Sequence, residues 1–466
     1  MHATTKTVFK AMGQLGSVQV LGQLCSVVRN KIIAVWIGPV GVGMVILFNS
    51  VSELVGVFTR LNIDQSSQRD IAAAGDRDVT ARLSHVAHSW SVWLGLLAWL
   101  LMCAASPLLS RWSFGDSSHW PEFCLLGIVP FMTSVALGYQ AVMKGCRQFG
   151  RVARVSAMIA LGGIAVSVPL IWFLRERSII WIIIAYALCM LVGSWLWRVR
   201  LPGVKMSLRQ TWSAGMSFVR LGAFITVGMG AGYLANYLFV LYMNNYADTA
   251  QLGLYQAGFI IINSYVGAIF TGVWTEYFPR LSAVIRSRRA TEVTVSHRIS
   301  ITAWTLLPIM ALFMVLDEPI VRLIYSSSFL DIIPYVTLGM SAMGLRAASW
   351  CIQHTVLARG DGKIYVATES LSCVLCLVLN IIGYSCWGFV GLGVSYIVWY
   401  ALFLAGVWLV YRRRYGYRLR GRVMVPVLAG AAVALAAAVG RLMVGWWVPM
   451  AVFVVVLPIA YKKLSK

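Results

Sequence analysis

Read only for hydrophobic and polar positions, the chain alternates long apolar runs with short polar connections from Val8 to Tyr461. Each run is about 18 to 25 residues, enough for a helix to cross a hydrocarbon core roughly 30 Å thick. Their approximate extents are 8–37, 44–73, 83–106, 123–143, 155–174, 179–197, 211–243, 253–278, 299–316, 334–357, 364–384, 388–411, 423–440 and 444–461. The pattern predicts about fourteen spans. In lipid every backbone N–H and C=O needs a partner within the chain, so a span is a helix or a strand of a closed barrel. Runs this continuously apolar lack the period-two alternation of barrel strands, and the expected fold class is an all-α polytopic membrane protein. No connection exceeds roughly twenty residues, well short of the ~50 that a separate soluble domain needs. Residues 1–10 are polar and the first run continues into Arg29 and Lys31 without a small-residue cleavage site, so it reads as a retained span.

Composition and charge narrow the reading. Of 466 residues 59% are hydrophobic and 12% charged, against about 25% charged in an average soluble chain. The net charge of +23 invites a nucleic-acid partner, but its distribution argues for topology. Counting loops alternately, one side holds Lys6, Lys10, Arg77, Arg82, the clusters 144–154, 198–209 and 280–298, Arg359, Lys363, the cluster 412–422, Lys462, Lys463 and Lys466. The other side holds Arg111, Arg175, Arg177, Arg322 and Arg441. Lys and Arg concentrate in cytoplasmic loops, so both termini are expected on the cytoplasmic side, with no nucleic acid involved. The nine cysteines fall mostly inside apolar runs, where a thiol acts as a small hydrophobe. Cys373 and Cys376 form a CxxC in spelling only, and His85 and His88 lack a third ligand, so neither a metal nor a cofactor is expected.

The chain also echoes itself. Gln140 to Gly145 leaves a run and enters a basic loop, as Gln353 to Lys363 does about 215 positions later. Gly38-Pro39-Val-Gly41-Val-Gly43, followed by Phe48-Asn49-Ser50, pairs with Leu252-Gly253 followed by Ile262-Asn263-Ser264, at an offset of about 210 to 214. Equal offsets predict two equivalent bundles, residues 1–210 and 211–411, with 412–466 adding a basic loop and two further helices.

The run Arg29-Asn-Lys31-Ile-Ile-Ala-Val-Trp-Ile-Gly38-Pro39-Val-Gly41-Val-Gly43 resembles the first span and turn of Wzx-type O-antigen and enterobacterial common antigen flippases. These belong to the multidrug/oligosaccharidyl-lipid/polysaccharide exporter (MOP) superfamily. Tyr277-Phe278-Pro279-Arg280-Leu281-Ser282 is similar to the segment closing the family's eighth span, and Ile324-Tyr325-Ser326-Ser327-Ser328-Phe329 resembles its loop before the tenth. The order and spacing of these motifs carry the resemblance, which covers nearly the whole chain. It implies two six-helix lobes in a V-shaped, MATE-like arrangement that opens alternately to each side. It also implies a cargo of a short glycan on an undecaprenyl pyrophosphate carrier, among membrane lipids, with polysaccharide polymerase or other assembly proteins as candidate partners. The last two helices depart from twelve-span members and leave subfamily and cargo open.

A pyrophosphate head group cannot cross lipid unaided, because an isolated ion in a low-dielectric medium is heavily penalised. Ionisable residues inside spans are therefore the functional candidates. The substrate-binding candidates are Arg29, Lys31, Arg60, Arg220 and Arg346; Arg69 also falls within a run. Arg29 and Lys31 sit in the outer half of the first run, opposite to where topogenic charge belongs. For Lys31, snorkelling to the outer surface competes with lining a cavity. In that run Gln19, Gln23, Ser26 and Asn30 share a face, flanked by the two cations. In the second run Asn49, Glu53, Arg60 and Asp64 fall within about 60° of one another on a continuous helix. Arg60 and Asp64 then read either as an i, i+4 pair that neutralises itself or as the mouth of a cavity where Arg60 receives phosphate as a bidentate fork. Glu53 and Asp64 are the coupling candidates, because a carboxyl at depth can exchange a proton as its surroundings alternate. A structural hydrogen bond is the competing role for Glu53. If span seven repeats span one, Arg220 faces Arg29 across a cavity. Glu276, Arg280 and Glu369 read as solvated helix ends.

Three classes fit a chain of this kind. An alternating-access transporter, driven by an ion gradient or the membrane potential, matches the basic excess inside the spans. A membrane-embedded glycan polymerase or ligase needs catalytic groups on a sizeable outer loop, and loops 107–122 and 317–333, with Asp116, Glu122, Asp317, Glu318 and Asp331, offer no acid–base pair. An ion-coupled drug antiporter on the same fold would place carboxylates at the cavity centre. No Gly-rich phosphate loop is present, so the chain is not read as a nucleotide hydrolase or other enzyme.

Overall fold

Among the described residues helices form where the apolar runs lie, since a helix satisfies its own backbone in any solvent. The computed structural model describes residues 21–265, 277–278, 280–419 and 421–464, and among these there is no strand. Gln19 and Glu276 lie outside the described residues, as do Pro279 of the Tyr277-to-Ser282 motif and much of the run 253–278. Nine described helices are long and apolar enough to cross a membrane, or ten if one bent pair counts as a single span. The protein is a multi-pass membrane protein.

The chain divides by packing into two compact units, Met1–Gly253 and Leu254–Lys466. In the first, α1 occupies 21–36, followed by α2 (Pro39–Arg60), α3 (Ile63–Ala73), α4 (Arg77–Phe114), α5 (Trp120–Leu126), α6 (Ile128–Gly145), α7 (Phe149–Leu174), α8 (Ser178–Leu196) and α9 (Leu208–Tyr246). Its core gathers Phe48, Val51, Met102, Phe123, Leu126, Ile179, Ile183 and Tyr237. The helix α9, which the repeat assigns to a second bundle, packs here on α2, α3 and α4. A stripe of Gly215, Gly222 and Gly230 allows this: added methyl groups would strike Trp90, the Leu61 carbonyl and Phe58. Trp90 Nε1 donates to the Thr211 carbonyl at 3.1 Å, and Ser66 Oγ to that of Phe218 at 3.0 Å.

The Gly38-Pro39 motif is a turn. Gly38 has φ 85° and Pro39 opens α2, where its fixed φ suits a first helical turn and its missing N–H costs nothing. Gly43 lies against the Thr249 carbonyl and Gly253 against that of Pro39, so the two glycine segments paired by the repeat touch each other at the start of α10 (Thr249–Ile260).

The second unit continues α10 into a π-helical turn, Ile261–Tyr265, and contains α11 (Arg288–Val315), α12 (Asp317–Ile324), α13 (Ile333–Ser341), α14 (Met343–Ala358), α15 (Gly362–Arg413), α16 (Gly421–Met443) and α17 (Trp447–Leu464). The 52 residues of α15 are two antiparallel arms, because Trp387 and Gly388 leave helical geometry, Gly388 with φ 56°. Gly383 and Gly391 meet backbone to backbone beside the bend. Ser395 Oγ then donates to Asn380, and Trp399 Nε1 to Ser372 Oγ at 2.9 Å. The predicted break between runs 364–384 and 388–411 therefore falls at this hairpin.

The first of the two C-terminal helices, α16, is fastened to this unit by charge. At the start of α12, Asp317 is fully buried; its Oδ1 accepts from Arg441 Nη2 at 2.8 Å and its Oδ2 from Thr337 Oγ1 at 2.9 Å. The sequence reading found no partner for Asp317. Its partner Arg441 lies 124 positions away, which local spacing does not show.

Candidate functional site

A cavity that gathers intramembrane charge lies inside the first unit. It has a volume of about 360 Å³ and is lined from α1 by Arg29 and Ile33, and from α2 by Asn49, Ser52, Glu53, Val57 and Arg60. Thr133 of α6, Tyr186 and Met190 of α8 and Tyr233 of α9 complete its polar and soft-apolar walls. Two arginines, a carboxyl, an amide, two hydroxyls and two phenols thus share one space walled by Val, Ile and Leu.

The reach of Arg60 follows from helix geometry. Side chains on a helix lean toward its N-terminus, so Arg60 folds back over the residue four positions earlier. That residue is Gly56, and a methyl added there would sit 3.1 Å from Arg60 Nη1. Lying along this bare patch, the guanidinium donates to Thr133 Oγ1 at 3.3 Å and comes within electrostatic reach of Glu53. Arg29 stands with its guanidinium carbon 5.4 Å from the centre of the Tyr186 ring, a separation at which the ring quadrupole attracts a cation.

The stripe predicted along the second run is interrupted. Leu61 and Asn62 adopt left-handed geometry, φ 51° and 45°, so α2 ends at Arg60 and α3 starts at Ile63. Asn62 holds the break by donating to Thr226 Oγ1 at 3.0 Å, with the Leu61 carbonyl against Gly222. Asn49, Glu53 and Arg60 keep their common face. Asp64 moves into the first turn of α3 and does not line the cavity, although its charge acts on Arg60. A continuous helix from Asn49 to Asp64 is therefore replaced by a kinked pair, because tertiary contacts to α9 hold two adjacent residues in a conformation costly for any residue with a Cβ.

The remaining candidates are dispersed. Lys31 is half-buried on α1 and outside the cavity lining; Arg220 is exposed on α9 and also outside it. Arg346 belongs to the second unit, where its Nη1 donates to Asn263 Oδ1 at 2.8 Å. Asn263 sits in the π-helical turn and donates in turn to the Tyr396 hydroxyl at 3.0 Å, while the Tyr400 ring lies 5.7 Å from the Arg346 guanidinium. The sequence reading missed Thr133, Tyr186 and Tyr233. Each is a lone polar or aromatic residue in an apolar helix, a signal indistinguishable from ordinary packing until the helices are assembled. Among the described residues no group of three His, Cys, Asp or Glu could hold a metal ion.

A family model described as polysaccharide biosynthesis protein matches residues 32–334. No curated protein matches the sequence. Among solved structures, an inward-facing multidrug resistance MATE family transporter of the MOP superfamily is similar, with a TM-score of 0.72 and 16% identity over 87% of this chain and 98% of its own. The lipid II flippase MurJ in an inward closed conformation aligns over 97% of this chain and 100% of its own, with a TM-score of 0.67 and 11% identity. A MOP superfamily transporter from Pyrococcus furiosus, described as having a binding pocket of reverse polarity, gives 0.59 and 15% over 87% and 96%. The chain has the MOP fold.

Proposed function

Since the chain belongs to the polysaccharide biosynthesis protein family, we propose that it is a flippase carrying an undecaprenyl-pyrophosphate-linked oligosaccharide from the cytoplasmic to the periplasmic leaflet of a bacterial inner membrane, with both termini in the cytoplasm. The observation that carries this reading is the cavity in the first unit, where Arg29 and Arg60 converge inside the membrane-spanning bundle. Two guanidiniums lining one cavity suit a diphosphate, since a guanidinium presents paired donors to adjacent oxygens. Tyr186 and Tyr233, with Asn49, Ser52 and Thr133, supply the hydroxyls, amide and ring faces that a sugar uses.

The carrier's apolar tail stays in lipid while the head group passes, so the cavity needs only to accept the head. An inside-negative potential favours outward movement of the anion by roughly 2.3 kcal/mol per charge per 100 mV. Arg60 and Arg29 are proposed as the head-group ligands, with Glu53 beside them as a counter-charge while the cavity is empty. Lys31, Arg220 and Asp64, outside the lining, are proposed to act on approach or on topology.

The test is a strain depleted of this protein, in which carrier-linked glycan is measured on each leaflet. The glycan is expected to accumulate on the cytoplasmic leaflet and to be cleared by the wild-type gene but not by Arg29→Ala or Arg60→Ala. Full clearance by both variants overturns the site. No accumulation on depletion overturns the function.

A further inference from the structure

The second unit holds a polar chain that the head-group cavity does not use. On α14, Arg346 and Gln353 are seven residues apart, two helical turns, and so lie on one face. Gln353 is buried and its Nε2 donates to Thr368 Oγ1 at 2.7 Å and toward Glu369 Oε1 at 3.5 Å, both on the first arm of α15. The Thr368 hydroxyl is already directed at the Ile364 and Tyr365 carbonyls. That leaves Gln353 Oε1 buried without a hydrogen-bond partner among the described residues. A buried amide oxygen left unmatched is costly and calls for a donor that is present in another state.

The donor at hand is Glu369 itself. We propose that Glu369 is a proton-carrying site and Gln353 its amide switch. As a carboxylate, Glu369 accepts from Gln353 Nε2. On taking a proton from water it becomes a donor, and rotation of the Gln353 amide by half a turn presents Oε1 to that O–H. Release of the proton to water restores the first arrangement, with no electrons transferred. Both arrangements satisfy the carboxyl, and they differ in which group of a buried amide faces it.

The groups around Glu369 suit such an exchange. Its own arm presents Tyr365 and Cys373, and the second arm presents Tyr400, which also lies within reach of Arg346. From α14 come Gln353 itself and, through Tyr400, Arg346. A proton gained at Glu369 therefore changes the charge seen by Tyr400, and through it by the Arg346–Asn263–Tyr396 network at the π-helical turn. Single-turn π-bulges of this kind are common at functional sites. The structure thus places the proton-linked element in the second unit, at a residue read from sequence as a solvated helix end.

Coupling of this proton to transport rests on the flippase reading; proton binding does not, and the experiment separates the two. Infrared difference spectra of the purified full chain, recorded through a pH titration, are expected to contain a carboxylic-acid band that is absent from Glu369→Gln and retained in Glu53→Gln. Gln353→Leu is expected to keep the band but move it, since the carboxyl loses its acceptor. In cells, Glu369→Gln at wild-type abundance is expected to lower glycan clearance at least tenfold, with Glu369→Asp partly active. A band that survives in Glu369→Gln, or wild-type clearance by that variant, overturns the proposal. A titrating band without any clearance by the wild type sinks the flippase reading and leaves the proton site standing.

Discussion

Arg60 and Arg346 are both arginines set inside apolar helices, and the two units treat them differently. In the first unit Arg60 lies along a bare glycine and faces a cavity it shares with Arg29, tied by one long hydrogen bond to Thr133. In the second unit Arg346 meets the amide of Asn263 at 2.8 Å and the ring of Tyr400, and Asn263 is itself held by Tyr396. Asn49 and Asn263, paired in the repeat expected from sequence, mark the contrast: one lines open space, the other bonds a cation. A charge at membrane depth is therefore a candidate ligand where helices leave a void and a structural brace where they supply partners. Hydropathy alone does not distinguish these cases.

The second unit's use of charge as a brace is strongest at Asp317 and Arg441, and breaking that pair should give the largest effect. Arg441→Leu strands a buried carboxylate, a change that costs about 3–5 kcal/mol, and is expected to lower the thermal midpoint of the purified protein clearly. Adding Asp317→Leu should recover most of the loss, because an apolar replacement of both partners is often neutral. A single variant as stable as the wild type would show that α16 docks without this pair. For the first unit, Arg60→Ala should leave stability nearly unchanged yet reduce glycan clearance roughly 10- to 100-fold, the worth of a charge-assisted hydrogen bond of about 1.5–3 kcal/mol. Arg220→Ala, exposed and outside the cavity, should stay within about twofold.

Arg346→Leu sharpens the contrast further. Losing its bond to Asn263 should lower stability by about 1–3 kcal/mol, with clearance falling only as far as protein abundance falls. A loss of clearance at full abundance would show that Arg346 acts in transport, as a ligand or through the Glu369 network, and not only as a brace. The smallest effect is expected at the turn joining α14 to α15. There Asp361 accepts from the Tyr415 hydroxyl at 2.7 Å and from Arg414 at 3.4 Å, and these donors hold its carboxyl below the usual range. A depressed carboxyl stabilises the fold above its unfolded value, about pH 4, and that contribution disappears as pH falls through the folded value. Tyr415→Phe should thus differ slightly from wild type at neutral pH and converge with it in acid, as measured by thermal melts across pH.

What the sequence determined by itself is what lipid enforces locally. Continuous apolar runs require helices because the backbone has no other partner, so the all-helical, multi-pass class was legible, as were the Gly38-Pro39 turn and the reversal near Gly388. It also singled out Arg29, Glu53 and Arg60, since charge inside an apolar run is visible without a structure. Only the tertiary structure decided which charges share a space. The left-handed pair Leu61 and Asn62, pinned by α9, separated Asp64 from its expected face; the glycine stripe of α9 drew that helix into the first unit; and Arg441 found Asp317 from 124 residues away. Periodicity reports the face of one helix, whereas a void or an ion pair is set by helices distant in sequence, and nothing local encodes their meeting.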